Sequence, residues 1–272
     1  MCSTKLLASL FAVALSLLIA APTYAQLAPL GTAGVRIGHV HLLVPDVDKD
    51  MALWQSLGGV TGKLGTFNFV LFPGVIVLFR QGTPEAPSID TSANHVGFQV
   101  KDYAAYKQKL LAAGARIFFE SAENGQILAD LPDGVRVEIL TDKDQKQPIV
   151  FHHYHVSATD AKALQQWYVN VFGAEAGERR NLPSALVSGG RVDILPVRAG
   201  TPAPRGSKGG AIDHIGFDVA DLKAFGDHLK SLGYKFDVEP RHIDTIGADV
   251  AFLTDPAGTY IEVTQRLDGM LK

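Results

Sequence analysis

The chain has 272 residues, of which 47% are hydrophobic and 19% charged, and its formal net charge is −3. This length and apolar content suit one large domain or two of ordinary size, and they exclude a disordered chain, a collagen-like repeat and a disulfide-rich scaffold. The small net charge gives no electrostatic basis for binding nucleic acid or an anionic membrane surface.

Residues 1–25 predict an export signal. Lys5 precedes an apolar run from Leu6 to Ala20, and small residues before Gln26 fit a cleavage site after Ala25. Because the run is short for a membrane span, a cleaved signal is favoured over the alternative of an uncleaved anchor helix. The single cysteine, Cys2, would leave with the signal, so any metal would be held by histidines and carboxylates. We therefore expect a periplasmic or secreted protein with no integral membrane segment after cleavage.

One pattern occurs four times along the rest of the chain. In each copy a histidine opens an apolar stretch, an aspartate follows seven residues later, and a glycine lies 19 or 20 residues after the histidine. The stretch is typical of a strand, the aspartate of a helix N-cap, and the glycine of a left-handed C-cap. The four sets are His39, Asp46 and Gly58; His95, Asp102 and Gly114; His153, Asp160 and Gly173; and His214, Asp221 and Gly233.

Each copy predicts a strand, a helix and further strands, because apolar residues between the aspartate and the glycine fall at helical spacing and shorter strand-like runs follow. Segments rich in Gly, Pro and Ser, residues 81–92 and 199–210, join the first unit to the second and the third to the fourth. The glycine-rich run 205–210 lacks the strand-to-helix context of a phosphate loop and is interpreted as a flexible linker. The polar stretch 142–148 is the expected domain boundary, which predicts an N-terminal domain at 35–142 and a C-terminal domain at 149–266.

The second and fourth units end alike, with a proline six residues and a glycine four residues before a glutamate in an apolar strand. A carboxylate in such a strand needs a partner if its face is buried. Each half of the chain thus has two strand histidines and one glutamate, a set that can hold a metal and leave positions open for substrate. The two expected sets are His39, His95 and Glu138, and His153, His214 and Glu262.

The strand-opening histidines, the Asp-capped helices and the closing Pro-x-Gly-x-x-x-Glu motifs resemble the vicinal oxygen chelate superfamily over residues 35–265. This superfamily includes glyoxalase I, fosfomycin-resistance enzymes, bleomycin-binding proteins and type I extradiol dioxygenases. The resemblance implies an α+β fold in which four βαβββ units pair into two bowl-shaped domains with divalent metal inside. The resemblance does not decide between Fe²⁺, Mn²⁺, Zn²⁺ and Ni²⁺ as the metal. The expected partner is a small-molecule substrate, and a homodimer is an open alternative.

Three further residues are candidates for catalytic roles. His155, like His41, lies two residues past an expected ligand and so on the same strand face, where it can donate a hydrogen bond beside the metal, replace a ligand or simply line the cavity. Tyr260 shares a face with Glu262 and either orients substrate or packs. His242 is the approximate counterpart of the acid-base histidine of extradiol dioxygenases.

Two positions bear on the type of reaction. The catalytic tyrosine of extradiol dioxygenases corresponds to Phe252, which weighs against catechol cleavage. The second carboxylate of the common glyoxalase I pattern has no counterpart in residues 75–79, and Asp193 is interpreted as an edge-strand charge more than as a fourth ligand. We expect an exported metal-dependent enzyme that binds a small oxygenated substrate through two oxygens, with lyase, isomerase or dioxygenase chemistry. The alternatives are a type I extradiol catechol dioxygenase and a non-catalytic protein that binds a small molecule.

Overall fold

The computed structural model describes residues 26–267, so the predicted export signal lies outside the described residues. The first unit consists of β1 (Val35–Val44), α1 (Val47–Ser56), β2 (Val60–Leu64), β3 (Phe67–Phe72) and β4 (Val75–Gln81). The second consists of β5 (Ala93–Val100), α2 (Tyr103–Ala112), β6 (Arg116–Ser121), β7 (Gln126–Asp130) and β8 (Arg136–Thr141).

The third unit consists of β9 (Ile149–Ala158), α3 (Ala161–Phe172), β10 (Glu175–Arg179), β11 (Leu182–Val187) and β12 (Gly190–Pro196). The fourth consists of β13 (Ile212–Val219), α4 (Leu222–Ser231), β14 (Val238–Ile243), β15 (Ala248–Thr254) and β16 (Tyr260–Gln265). The four predicted βαβββ units are thus confirmed. None of the helices in residues 26–267 is long and apolar enough to cross a membrane.

The predicted helix caps are present in all four units. Each helix follows an aspartate whose side chain accepts a hydrogen bond from the backbone N–H three residues later, which satisfies a donor that the helix itself cannot. Each predicted glycine after a helix has a positive φ, and Gly173 is the left-handed cap of α3 with φ 62°. The repeat in the sequence therefore reflects a repeated local structure.

The units pair in a different order from the expected one. Sheet 1 has the strand order β14-β15-β16-β13-β1-β4-β3-β2, and sheet 2 has the order β10-β11-β12-β9-β5-β8-β7-β6. The first unit therefore joins the fourth through antiparallel β1 and β13, and the second joins the third through antiparallel β5 and β9. The prediction that consecutive units pair within residues 35–142 and 149–266 is wrong in this respect.

The connecting segments also have different roles from those predicted. Residues 142–148, the expected boundary, link β8 to β9 inside sheet 2. The chain passes between the sheets at residues 82–92 and 197–211, which lie side by side: Ser92 N–H donates to the Arg205 carbonyl at 2.8 Å, and Glu85 N–H to the Gly209 carbonyl at 2.9 Å. Loop-forming residues mark a connection, but they do not state which strands the connection separates.

A continuous hydrophobic core lies between the two sheets. Trp54 of α1 packs against Phe72 of sheet 1 and Phe98 of sheet 2, and Phe172 of α3 stacks on Phe217 of β13 at 4.3 Å between ring centroids. Side chains alternate along β1, so Val40 belongs to this core and its neighbours face the other side of the sheet. The face of each sheet that points away from this core is therefore left to form a site.

Candidate metal centre

Four buried side chains meet on three neighbouring strands of sheet 1. They are His39 and His41 from β1, His214 from β13 and Glu262 from β16, and we call them the first cluster. One potential ligand atom from each residue lies within 4.8 Å of the others. Because β16, β13 and β1 are adjacent in the sheet, the three strands bring together residues from the two ends of the chain.

A second cluster occupies the matching place in sheet 2. It consists of His153 and His155 from β9, His95 from β5 and Glu138 from β8. The expected ligand sets are therefore corrected, since His39 lies with His214 and Glu262, and His153 with His95 and Glu138. The cause is the exchanged pairing of the units, which leaves each residue on its predicted strand but changes its neighbours.

In the first cluster, two imidazoles converge on one carboxylate oxygen. The Nε2 atoms of His39 and His214 lie 3.0 and 2.8 Å from Oε2 of Glu262. Burial alone would raise the pKa of Glu262, but the two imidazoles hold it well below its usual range. An ionised carboxylate among converging imidazole nitrogens is a donor set typical of a divalent cation.

His214 is held in place by a second carboxylate. Its Nδ1 lies 2.6 Å from Oδ1 of Asp213, and Asp213 also accepts hydrogen bonds from the Gly209 N–H at 2.9 Å and from Arg80 at 3.1 Å. Burial is the largest single influence and opposes ionisation of Asp213, but the hydrogen bond and charge of His214, together with the Gly209 N–H and Arg80, outweigh it and lower the pKa of Asp213 to about 2. Such a carboxylate–imidazole pair fixes the ring orientation and leaves Nε2 free to bind a metal. Sequence reasoning missed Asp213, although it directly precedes an expected ligand.

The remaining donors of the first cluster also fit a metal. Within residues 26–267, both ring nitrogens of His41 and Nδ1 of His39 are buried without a hydrogen-bond partner. Buried polar atoms are normally paired, so these nitrogens are available to a further ligand, as are Nε2 of His153 and Nε2 of His155 in the second cluster described below. Burial lowers the pKa of His41 well below its usual value, which keeps the ring in the neutral form that coordinates metals. The imidazole and carboxylate set suits Fe²⁺, Mn²⁺, Zn²⁺ and Ni²⁺ alike.

A cavity of about 690 Å³ opens above the first cluster. Its wall includes Phe67 and the ring pair of Phe252 and Tyr260, which stack at 5.0 Å between centroids with an interplanar angle of 12°. Lys208 and Arg241, both exposed, form part of the same wall, and the Lys208 ammonium lies 4.5 Å from the centroid of the Tyr260 ring. The cavity therefore combines an apolar aromatic wall with exposed cations, and Glu85 and Asp213 also line it.

Tyr260 is on the cavity wall, where its proposed catalytic role stays a prediction, but His242 is not. The His242 side chain is 52% exposed, and its Nδ1 lies 2.8 Å from Asp249. Its neighbours Arg241 and Ile243 line the cavity instead. A shift of one residue along a strand moves a side chain to the opposite face, so the one-residue offset in the sequence comparison removes His242 from the site.

Two other sequence interpretations are corrected. Residues 205–210 are not a free linker, because Ser207 is fully buried and Lys208 and Gly209 line the cavity. Asp193 is not an edge-strand charge, because β12 lies inside sheet 2 beside β9 and the Asp193 side chain is fully buried against Arg179. Neither location could be read from local composition, because each depends on strands far away in the sequence.

The second cluster is more crowded than the first. The Nε2 atoms of His153 and His95 lie 2.9 and 3.4 Å from Oε2 of Glu138, and Nδ1 of His155 lies 2.8 Å from Nε2 of His95. Burial lowers the pKa of His95 to about 4. The cavity at this cluster measures about 240 Å³. His155, predicted as catalytic from the sequence, therefore contacts a potential ligand in the smaller of these two cavities.

Comparisons with known proteins agree with this architecture. The profile of the Glyoxalase/Bleomycin resistance protein/Dioxygenase superfamily matches residues 150–263, and no curated protein matches the chain significantly. Glyoxalase I from Zea mays is similar in structure with a TM-score of 0.65 and 16% identity, covering 87% of this chain and 94% of that one. A mutant of the same enzyme has a TM-score of 0.66 and 15% identity, and the match covers 88% of this chain and 96% of the mutant chain.

A candidate dioxygenase from Bacillus subtilis is also similar, with a TM-score of 0.64 and 14% identity over 89% of this chain and 86% of that one. At these identities the structural likeness concerns the fold. The matched profile spans the third and fourth units, which contribute His153, His214 and Glu262 but lie in different sheets. Residues 150–263 thus match the profile of the Glyoxalase/Bleomycin resistance protein/Dioxygenase superfamily, and the two sheets together have the fold of glyoxalase I.

Proposed function

We propose that the protein is a metal-dependent enzyme that binds a small oxygenated substrate through two oxygens at a divalent metal held by His39, His214 and Glu262. The observation that carries the proposal is the convergence of two imidazole Nε2 atoms on Oε2 of Glu262 at the base of the 690 Å³ cavity. His41 provides a fourth donor within reach of the other three. These residues would hold the metal at the base of the cavity, where it would be open to the substrate.

A divalent metal in this position supplies a Lewis acid that stabilises negative charge on a substrate oxygen. The residues of the chain position the reactants around it. Asp213 holds His214 in the orientation that points Nε2 at the site. Phe252 and Tyr260 offer a flat apolar surface to the carbon skeleton of the substrate and keep water from that side.

The charge of the cavity favours an anionic substrate. Lys208 and Arg241 lie on the wall, whereas the two carboxylates of the wall outside the cluster are already paired, Asp213 with His214 and Arg80, and Glu85 with Arg205. A carboxylate or phosphate on the substrate would meet these cations while its oxygens approach the metal. Lyase or isomerase chemistry, in which an enolate or alkoxide develops, fits this arrangement best.

Two observations weigh against extradiol cleavage of a catechol. The side chain at position 252 is a phenylalanine without a hydroxyl group, and His242, the counterpart of the acid-base histidine, lies outside the cavity. Proton transfer to the substrate needs a titratable group within hydrogen-bond reach. We therefore expect no ring-fission product from catechols with Fe²⁺-loaded protein.

Metal analysis tests the proposal. We propose that the chain is exported, so it is purified from the periplasmic or secreted fraction, where an N-terminus at Gln26 would agree with signal cleavage. After reconstitution with each of the four metals, His214→Ala and Glu262→Ala should bind metal at least 100-fold more weakly than wild type, because each removes a ligand. His242→Ala, an exposed histidine outside the cluster, is the matched control and should bind like wild type.

Turnover is then measured with the metal-loaded protein on anionic α-hydroxy and α-oxo carbonyl compounds and on catechols. Activity that disappears in Glu262→Ala and persists in His242→Ala would support the assignment. A wild-type protein that stays free of metal under all four conditions, or a Glu262→Ala variant with unchanged affinity, would refute it.

A further inference from the structure

The two sheets have the same strand order, so hydrogen-bond register identifies equivalent positions in the two clusters. In sheet 1, His41 pairs in register with Leu78 of β4, whereas in sheet 2, His155 pairs with Asp193 of β12. In the adjacent hairpins, the last residue pair is Leu64 with Phe67 in sheet 1 and Arg179 with Leu182 in sheet 2. The register thus places Arg179 and Asp193 of sheet 2 at the strand positions of Leu64 and Leu78 in sheet 1, and Leu78 lines the cavity of the first cluster.

The arginine reaches into the second cluster. Its side chain is 13% exposed, and Nη2 donates to Oε2 of Glu138 at 3.1 Å, the oxygen that also faces His153 and His95. Its Nε donates to Asp193, which is fully buried and accepts a second hydrogen bond from Ser184 at 2.6 Å. The guanidinium is therefore anchored on one side and occupies the carboxylate oxygen on which the imidazoles converge.

The other oxygen of Glu138 is occupied as well. Gln126 donates to Oε1 at 2.6 Å, and register places Val250 at the equivalent position in sheet 1. The hydrogen-bond partner of the histidine Nδ1 also differs between the two clusters. Nδ1 of His95 lies 2.8 Å from the neutral amide of Asn94, whereas Nδ1 of the equivalent His214 faces the carboxylate of Asp213. Each difference removes negative charge or free acceptor capacity from the second cluster.

We propose that Arg179 acts as an internal cation that keeps metal out of the second cluster, so that the chain binds one metal ion, at the first cluster. A guanidinium stays charged at every accessible pH, so it both repels a divalent ion and competes for Oε2 of Glu138. It is also hard to displace, because its departure would leave Asp193 buried without its charge partner. The expected count of one ion in wild type rests on the proposed function, because that ion would be bound at the first cluster. The exclusion of metal from the second cluster does not depend on it.

The test is a count of bound metal on the full chain with Zn²⁺ or Mn²⁺ as the probe, by elemental analysis and native mass spectrometry after dialysis. Wild type should retain one ion. The double variant Arg179→Leu/Asp193→Leu, which installs the leucine pair found in sheet 1, should retain two, with at least a 100-fold gain in affinity at the second cluster. Addition of His153→Ala to the double variant should bring the count back to one.

A matched control is the neighbouring Arg180→Leu. Arg180 has a side chain 45% exposed and lies 3.9 Å from Oε1 of Glu138, so its loss should leave one ion per chain. Both aspartate and arginine are replaced in the test variant, because removal of Arg179 alone would leave Asp193 unpaired. Circular dichroism and occupancy of the first cluster show that each variant is folded.

Two results would overturn the proposal: wild type with two ions, one of which is lost in His153→Ala, or a folded double variant that still binds a single ion. If the proposed metal centre at the first cluster is wrong, the result is different: His214→Ala would bind the same number of metal ions per chain as wild type. A double variant that gains an ion dependent on His153 but not on His214 would support Arg179 as the excluding residue even in that case.

Discussion

At the scale of single residues, two glycines make room for the histidines of the two clusters. A Cβ on Gly216 would lie 2.2 Å from the ring of His39, and a Cβ on Gly97 would lie 1.9 Å from the ring of His153. No side chain tolerates such distances, so each histidine ring occupies the space directly over a glycine of the adjacent strand. The absence of a side chain at Gly216 and Gly97 is therefore a condition for the observed positions of the two rings.

Replacement of Gly216 by alanine should displace His39 and weaken metal binding at the first cluster at least tenfold. Gly97→Ala should displace His153 and leave metal binding at the first cluster unchanged. Both variants should lose about 1–3 kcal/mol of stability, the usual cost of overpacking. Metal titration and thermal unfolding of both proteins check this pair, and equal losses of metal affinity would contradict the assignment of the metal to the first cluster.

The candidate ligands show how far residue-level reasoning reaches. The fourfold pattern indicated four of the expected ligands and the two closing motifs the other two, because a strand-opening histidine and a closing glutamate are local features of the sequence. It did not indicate Asp213 or Arg179, whose importance depends on which atoms lie opposite them. Arg179 lies at the end of β10, and Glu138 lies on β8 of the same sheet. Only the strand order of sheet 2 and the register of its strands bring the two side chains together.

At the scale of elements, two helices are tied to turns of another unit by buried aspartates. Trp54 of α1 donates its indole N–H to Asp133 at 2.8 Å, and Tyr168 of α3 donates its hydroxyl to Asp255 at 2.8 Å. Burial raises the pKa of Asp133 to about 7 and that of Asp255 to about 6. Both aspartates belong to the turns that precede the glutamate-bearing strands, so these bonds connect helix packing with the sites.

These raised pKa values predict a pH dependence of stability. Because the folded state binds a proton on Asp133 more tightly than the unfolded state, the contribution of Asp133 to the free energy of unfolding falls as pH rises from about 4 to about 7. The contribution is complete below pH 4 and lost above pH 7. Buried imidazoles with lowered pKa values, such as His95, contribute a slope of opposite sign over part of this range.

Comparison of wild type with Asp133→Asn isolates the contribution of Asp133. The variant should show a free energy of unfolding that falls less, or rises more, between pH 4 and pH 7, by up to about 1.4 kcal/mol per pH unit. Denaturant unfolding at several pH values measures it, with the exposed Asp244→Asn as the control. The slope is the readout, since the amide also changes the hydrogen bond with Trp54; identical slopes in wild type and Asp133→Asn would contradict the prediction.

At the scale of the whole molecule, the pairing of first with fourth and second with third unit makes each half of the chain incomplete. Residues 26–142 supply one unit to each sheet, and residues 149–267 supply the other. Expressed alone, neither half should form a folded monomer, because β1 and β5 would each lack the strand that pairs along them. Mixed halves should associate and recover metal binding at the first cluster.

Sedimentation and metal analysis of the separate and mixed halves measure this outcome. The intact chain is the control. A half that sediments as a folded monomer with its own metal would contradict the exchanged pairing.

The sequence predicted the units better than their arrangement for a physical reason. Alternating hydrophobicity, aspartate caps and glycine ends are imposed by each unit on itself, so they are visible locally. The strand that pairs with β1 is instead β13, about 180 residues away, and the ion pair between Arg36 and Asp218 forms only in that register. No feature of the segments 82–92 and 142–148 distinguishes a connection between sheets from one within a sheet.

The exchanged pairing is the arrangement that fusion of a symmetric dimer would produce. Two identical chains of two units each would form the same pair of sheets as a symmetric dimer, with a site of equal composition in each. Fusion through the stretch at residues 142–148 would turn that dimer into a single polypeptide, and the two sites could then change independently. Under this history, the Leu78 and Asp193 positions began as one residue in an ancestral chain and diverged once a single gene encoded both.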